Sequence, residues 1–104
     1  MIRALLVFLF LAAPGKAETA RILSGEHGDF TRLVIELPEP SDWIVGRTAR
    51  GYAFATTDEL QPDYDTSAIW QRISQTRLQS VRIDPTTGVL DISLACDCHI
   101  FPFE

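Results

Sequence analysis

The residues best suited to chemistry are four consecutive ones near the end of the chain, Cys96-Asp97-Cys98-His99. Thiolate and imidazole groups bind Zn²⁺ and Cu⁺, so the segment is a candidate metal site. On a regular strand, however, Cys96 and Cys98 share one face and His99 lies on the other. Zinc sites also usually combine two separated ligand pairs. We therefore expect no metal or other cofactor, and a small metal-binding or redox protein that uses Cys96, Cys98 and His99 is the alternative function.

The two cysteines can also pair with each other. Residues two apart on a strand have Cα atoms about 6.5–7 Å apart, which is near the upper limit for a disulfide. A Cys96–Cys98 disulfide on a strand would be strained, and strained disulfides are the easily reduced ones. Buried free thiols beside Leu94 and Ile100, or a disulfide between two chains, are the alternatives. The sequence leaves the choice among these states open.

A second group, Ser24, His27 and Asp29, contains the residue types of a catalytic triad. All three lie in one short glycine-containing turn, where their side chains cannot converge on a substrate beside an oxyanion hole. The sequence also lacks the G-x-S-x-G motif that holds a nucleophilic serine on a sharp turn. We interpret this segment as a polar turn and expect the protein not to be an enzyme.

Acidic residues cluster between positions 57 and 66, at Asp58, Glu59, Asp63 and Asp65. Carboxylates at such spacing suggest a Ca²⁺ site or a pair of glycosidase carboxylates. The glycine and the terminal glutamate of the EF-hand loop are both missing. A solvated loop that caps a following helix is the preferred interpretation.

The N-terminus has the three parts of a secretory signal peptide. Arg3 supplies a positive charge, Ala4 to Ala13 is an apolar run of ten, and small residues precede a cleavage position after Ala17. A transmembrane helix needs about 20 apolar residues, so this run is too short to span a membrane. We predict a signal peptide at residues 1–17, a periplasmic or secreted location, and no membrane span once it is removed.

Composition limits the rest of the chain to one small acidic unit. The 104 residues have a formal net charge of −5, and removal of Arg3 and Lys16 with the signal peptide leaves −7. Binding to a phosphate backbone needs clustered Lys and Arg, so no nucleic acid partner is expected. We expect residues 18–104 to form a single domain, and an apparent strand so close to Glu104 suggests the N-terminal part of a longer protein.

Alternating apolar residues and turn signals predict a mainly β domain. The expected strands are Arg21–Leu23, Thr31–Leu37, Trp43–Arg47, Gly51–Ala55, Leu78–Asp84 and Val89 to about Ile100. One short helix is expected at Ser67–Ile73, capped by Asp65 or Thr66, with Ile69, Trp70 and Ile73 on one face. These elements favour a small sandwich or a partly closed barrel.

Residues 21–37 (RILSGEHGDFTRLVIEL) resemble the opening of AMIN domains. The shared pattern is a strand, a short polar turn, and then Thr-Arg followed by three apolar residues, an acid and Leu. A proline-rich gap and a hairpin that begins with Trp43 extend the similarity over residues 20–56. The helix and the Cys96–His99 segment are not part of the family pattern.

The resemblance implies a small antiparallel β-sandwich in the bacterial periplasm, with one short helix here. It also implies a non-catalytic binding or localisation module that contacts peptidoglycan or another envelope component, such as an envelope protein. The expected contact residues are an exposed Arg32 and, in the hairpin, Arg47 and Arg50. Guanidinium groups suit the carboxylates of peptidoglycan stems. The alternative for Arg32 is a surface ion pair, which stabilises little. The oligomeric state is not predicted.

Overall fold

The computed structural model describes residues 18–104, and the predicted signal peptide lies outside these described residues. Seven strands and one 3₁₀ turn follow one another along this part of the chain. The strands are β1 Thr19–Glu26, β2 Thr31–Glu36, β3 Trp43–Arg47, β4 Gly51–Thr56, β5 Asp63–Asp65, β6 Leu78–Ile83 and β7 Leu90–Leu94. The mainly β fold expected from the alternating pattern is therefore confirmed.

The strands form two sheets, with the orders β2-β1-β5 and β3-β4-β7-β6. All neighbouring strands are antiparallel except β1 and β5, which run parallel. Strand β5 lies where an acidic loop was expected. The amide of Asp63 donates to the carbonyl of Glu18 at 2.9 Å, and Tyr64 is buried between two exposed or half-buried aspartates. The buried Tyr64 side chain thus holds β5 against the core, whereas the two flanking aspartates make the segment look like a loop in the sequence.

The core lies between the two sheets and draws side chains from both. Ile22 of β1, Leu90 of β7 and Ile69 of the 3₁₀ turn are fully buried. Phe54 stacks on Trp43 within the larger sheet and makes an edge-to-face contact with Tyr64 of β5. Its ring therefore packs between the two sheets. Strand alternation places these residues inside, because every second side chain of a strand faces the same way.

The predicted helix is shorter than expected and covers only Ile69–Gln71 as a 3₁₀ turn. Asp65 does not cap a helix; its Oδ1 accepts from the amide of Ser67 at 2.9 Å and from the Ser67 hydroxyl at 2.6 Å, which closes a local turn. Ile69 and Ile73 are buried as expected, whereas Trp70 is 39% exposed because a single turn presents only a narrow face to the core. No helix in residues 18–104 is long and apolar enough to cross a membrane.

The last strand also ends earlier than expected, at Leu94 instead of near Ile100. The amide of Leu94 donates to the carbonyl of Arg50 at 2.9 Å, and the amide of Ala95 donates to the carbonyl of Arg77 at 2.8 Å. The neighbouring strands β4 and β6 begin opposite Ser93 and Leu94, so residues after Leu94 have no strand partner that would extend β7. The chain bends over residues 95–97, and the cysteines therefore lie on a turn.

Candidate functional site

Three segments from both sheets meet at one end of the sandwich, which we call the arginine end: the β1–β2 turn, the β3–β4 turn and the bend after β7. Arg77 connects the sheets, because its guanidinium donates to the carboxylate of Glu26, the hydroxyl of Thr31 and the carbonyl of Gly28. The backbone bond from Leu94 to Arg50 attaches the β3–β4 turn to the same end. Residues far apart in sequence therefore share one surface.

A groove of about 460 Å³ opens at this end, and we call it the arginine groove. It is lined by Arg47, Ala49, Arg50, Gly51, Gln79, Leu94, Cys96, Asp97 and Cys98. A second hollow of about 420 Å³ shares Arg50 and Gln79 with it and continues over the outer face of β6 and β7, past Arg82 and Asp91. The two hollows therefore adjoin each other at Arg50 and Gln79.

Two of the three predicted contact residues, Arg47 and Arg50, lie together in the arginine groove, and both are exposed. Arg47 is oriented by Tyr52: its Nη1 donates to the Tyr52 hydroxyl at 3.2 Å, and its guanidinium carbon lies 5.2 Å from the ring centroid. Among residues 18–104 the ion pairs are Arg21 with Glu36 and Arg77 with Glu26. Within this range, neither groove arginine has a carboxylate partner within 4.0 Å.

One lining residue of the arginine groove, Gly51, has no side chain. Gly51 is buried, and a Cβ atom there would collide with the carbonyl oxygen of Ile92 on β7. The absence of a side chain lets β4 approach β7 closely at its first paired residue. The lining at this position is therefore backbone that is packed closely against β7.

The third predicted contact residue, Arg32, lies elsewhere. It is on β2 in the smaller sheet, exposed, with its guanidinium carbon 5.9 Å from the centroid of the Phe30 ring. His27 stacks on Phe30 with ring centroids 4.7 Å apart. The structure therefore assembles Arg47 and Arg50 but does not add Arg32 to their groove.

Cys96 and Cys98 form a disulfide, with their Cα atoms 5.2 Å apart, and no free cysteine occurs in residues 18–104. The strand geometry assumed from the sequence is wrong here, because the bend after Leu94 shortens the Cα separation to well within the usual range. Both cysteines are half-buried and line the arginine groove, whereas His99 does not. Within the described residues no group of three metal-ligating side chains occurs, so the Cys96, Cys98 and His99 set is not assembled.

The other sequence candidates have structural partners. The hydroxyl of Ser24 donates to the carbonyl of Ile69 at 2.5 Å, and His27 stacks on Phe30, so the turn does not assemble a triad. Asp58 accepts from the Ser41 hydroxyl at 2.9 Å. Hydrogen bonds from the Ser67 side chain and backbone lower the pKa of the Asp65 carboxyl.

Gln61 has a role that sequence patterns did not reveal. Its amide nitrogen donates to the carbonyl of Thr56 at 2.8 Å, and its amide oxygen accepts from the Thr56 amide and the Tyr64 hydroxyl, both at 3.1 Å. The side chain thus takes the place of a neighbouring strand at the end of β4. Burial raises the pKa of Tyr64 to about 12.

These features define a small mainly β domain of two sheets with a polar, arginine-lined groove at one end. Comparisons with family models, with curated proteins and with solved structures find no match to this chain.

Proposed function

We propose that this protein is a non-catalytic binding or localisation module of the bacterial cell envelope. It contacts peptidoglycan, or an envelope protein of similar chemistry, through carboxylates that enter the arginine groove. The observation that carries the proposal is the presence of Arg47 and Arg50 in one groove without an ion-pair partner among residues 18–104. The predicted signal peptide and the AMIN-like opening of the chain support a periplasmic or secreted location.

The groove suits a carboxylate for two physical reasons. A guanidinium group presents several N–H donors in a planar fork that matches two carboxylate oxygens. Tyr52 already orients Arg47, so less side-chain freedom is lost when a ligand binds. Gln79 and the polar residues of the second hollow supply further hydrogen-bonding groups for a sugar or peptide.

The overall charge makes this contact local. Residues 18–104 have a formal charge of −7, so an anionic polymer is repelled by most of the surface and attracted only near the groove. Binding should accordingly weaken as salt screens the guanidinium groups.

Co-sedimentation with purified peptidoglycan at low salt tests the proposal. The double variant Arg47→Gln/Arg50→Gln should lose about tenfold in affinity, because each exposed ion pair contributes up to about 1 kcal/mol and a factor of ten corresponds to about 1.4 kcal/mol. Arg72→Gln, an exposed arginine outside the groove, is the matched control and should bind like the wild type. A wild-type protein that stays in the supernatant contradicts the proposal.

A separate variant examines the other sheet. Arg32→Gln should leave co-sedimentation within about twofold of wild type, since Arg32 lies outside the groove and stacks on Phe30. A loss as large as that of the groove variant would move the binding surface to the β1–β2 hairpin.

A further inference from the structure

We propose that the Cys96–Cys98 disulfide is a thiol–disulfide exchange site, which takes two electrons from a pair of thiols on a partner protein at the arginine groove. This activity goes beyond the proposed binding function and does not require peptidoglycan. The partner is defined by chemistry: it has two neighbouring cysteine thiols, with acidic groups beside them that complement Arg47 and Arg50.

The first support is that this disulfide does little to hold the fold together. Its cysteines are separated by only two positions in sequence. A disulfide stabilises a protein mainly by restricting the unfolded chain, and the effect grows with the length of the loop it closes. Here the loop is minimal, and no distant segments are joined. A purely structural role therefore explains this crosslink poorly.

The second support is access. Both cysteines line a groove of about 460 Å³, and both are half-buried instead of lying inside the core. Exchange requires that a thiolate reach one sulfur of the disulfide. The groove provides that route from solvent.

The third support is the charge around the sulfurs. Arg47 and Arg50 line the same groove, and Asp97 is the single acidic residue in its lining. Cationic neighbours attract an incoming thiolate and stabilise the thiolate that leaves, which favours the reduced form of the pair. The two arginines thus have a second use in addition to carboxylate binding.

The two sulfurs are not equivalent. The Sγ atom of Cys96 lies 3.6 Å from the carbonyl oxygen of Arg77. After reduction, a Cys96 thiol can donate to this carbonyl, and the same oxygen repels an anionic thiolate that approaches Cys96. Cys98 has no such neighbour among the hydrogen bonds of residues 18–104. The geometry therefore assigns Cys98 as the sulfur that is attacked.

The exchange proceeds in two balanced steps. A partner thiolate attacks Sγ of Cys98, a partner–Cys98 disulfide forms, and the Cys96–Cys98 bond breaks. The Cys96 sulfur takes up a proton from water as it leaves, so that the resulting thiol donates to the Arg77 carbonyl. The second partner thiolate then attacks the partner sulfur of this mixed disulfide, and Cys98 leaves as a thiolate that takes up a proton. The partner is oxidised to a disulfide, and Cys96 and Cys98 are reduced to two thiols.

Glutathione is the probe for the first experiment, because it combines a thiol with two carboxylates. The purified protein is equilibrated in a series of reduced and oxidised glutathione mixtures, thiols are trapped by alkylation, and intact masses are measured. We expect the disulfide to be reduced while the fold stays intact by circular dichroism. A disulfide that stays oxidised in excess reduced glutathione, with the fold intact, overturns the proposal.

The second experiment measures the initial rate of reduction by glutathione in charge variants. Arg47→Gln/Arg50→Gln should slow the reaction by about threefold to tenfold, since two cations near the sulfurs are lost. Arg72→Gln should react like the wild type. Equal rates in all three proteins overturn the role of the groove.

The third experiment separates the two sulfurs. Cys96→Ser leaves Cys98, which should form a mixed disulfide with oxidised glutathione at least threefold faster than Cys96 does in Cys98→Ser. The opposite order would contradict the assignment of Cys98. Because none of these measurements uses peptidoglycan, a failure here leaves the binding proposal standing, and a failure of co-sedimentation leaves this one standing.

Discussion

The two ends of the sandwich use their charges in different ways. At the arginine end, Arg47 and Arg50 point into an open groove and have no ion-pair partner among residues 18–104. At the opposite end, which we call the acidic end, the loops around residues 37–42, 57–62 and 84–89 contain five acidic residues and no basic one. Several of those carboxylates are occupied: Asp84 accepts from the amides of Thr86 and Thr87, and Asp58 accepts from Ser41.

The difference shows that net charge is a poor guide to a binding surface. The acidic end supplies most of the formal charge, yet Asp58 and Asp84 hold turns in place. The arginine end has charges of both signs, and two of them, Arg47 and Arg50, are free of salt bridges within the described residues. A carboxylate ligand responds to positive charges that can be reached, and the arginine end brings two of them, Arg47 and Arg50, into one groove.

The largest expected effect concerns the acidic end. Gln61→Ala removes the amide that pairs with both backbone groups of Thr56 and with the Tyr64 hydroxyl, so buried polar groups are left without partners. We expect the free energy of unfolding to fall by about 2–4 kcal/mol, measured by urea denaturation. Gln71→Ala, at an exposed position in the 3₁₀ turn, is the control and should change it by about 0.5 kcal/mol or less. Equal effects would mean that Gln61 does not hold the end of β4.

An intermediate effect is expected at the arginine end. Arg77→Gln removes the contacts to Glu26, Thr31 and Gly28 that connect the two sheets. Because these groups are partly exposed, the loss should be about 1–2 kcal/mol by the same measurement. The groove variant Arg47→Gln/Arg50→Gln should stay within about 0.5 kcal/mol of wild type. If the groove variant lost as much free energy of unfolding as Arg77→Gln, Arg47 and Arg50 would also be structural residues, and the contrast with Arg77 would be wrong.

The smallest effect is a pH dependence at the acidic end. Hydrogen bonds from the Thr86 and Thr87 amides hold the pKa of Asp84 below its usual value. A carboxyl with a lowered folded-state pKa stabilises the fold above its unfolded-state pKa, and that stabilisation disappears as pH falls through the folded-state value. Asp84→Asn mimics the protonated group, so wild type should be more stable at neutral pH and the two should converge in acid, as thermal melts at several pH values would show. A difference that persists in strong acid contradicts this cause.

Local patterns predicted the elements whose neighbours are close in sequence. The hairpin of β3 and β4 follows from a Trp/Val strand, a short turn and a second apolar strand, and it brings Arg47 and Arg50 together. Strand β2 begins at Thr31 as its alternation indicates. For these elements, the alternation of apolar residues and the turn residues are enough to predict the strands and the hairpin.

Non-local contacts explain the parts that the sequence did not predict. The alternation continues through Cys96 and Cys98, but β7 ends at Leu94 because its neighbours β4 and β6 begin there. Strand β5 depends on parallel pairing with β1, more than 40 residues away. The amide partners of Gln61 and the place of Gln79 in the groove likewise depend on how the sheets meet, which no single segment encodes.

The close approach of β4 to β7 at Gly51 restricts how this groove can diversify. Any side chain at that position must displace β4 from β7, so substitutions there disturb the sheet before they alter a ligand contact. Changes in ligand preference must therefore arise at the rim, where Ala49, Gln79 and Asp97 tolerate new side chains without moving a strand. Over evolutionary time, position 51 should stay glycine while the chemical selectivity of the groove changes at the other lining positions.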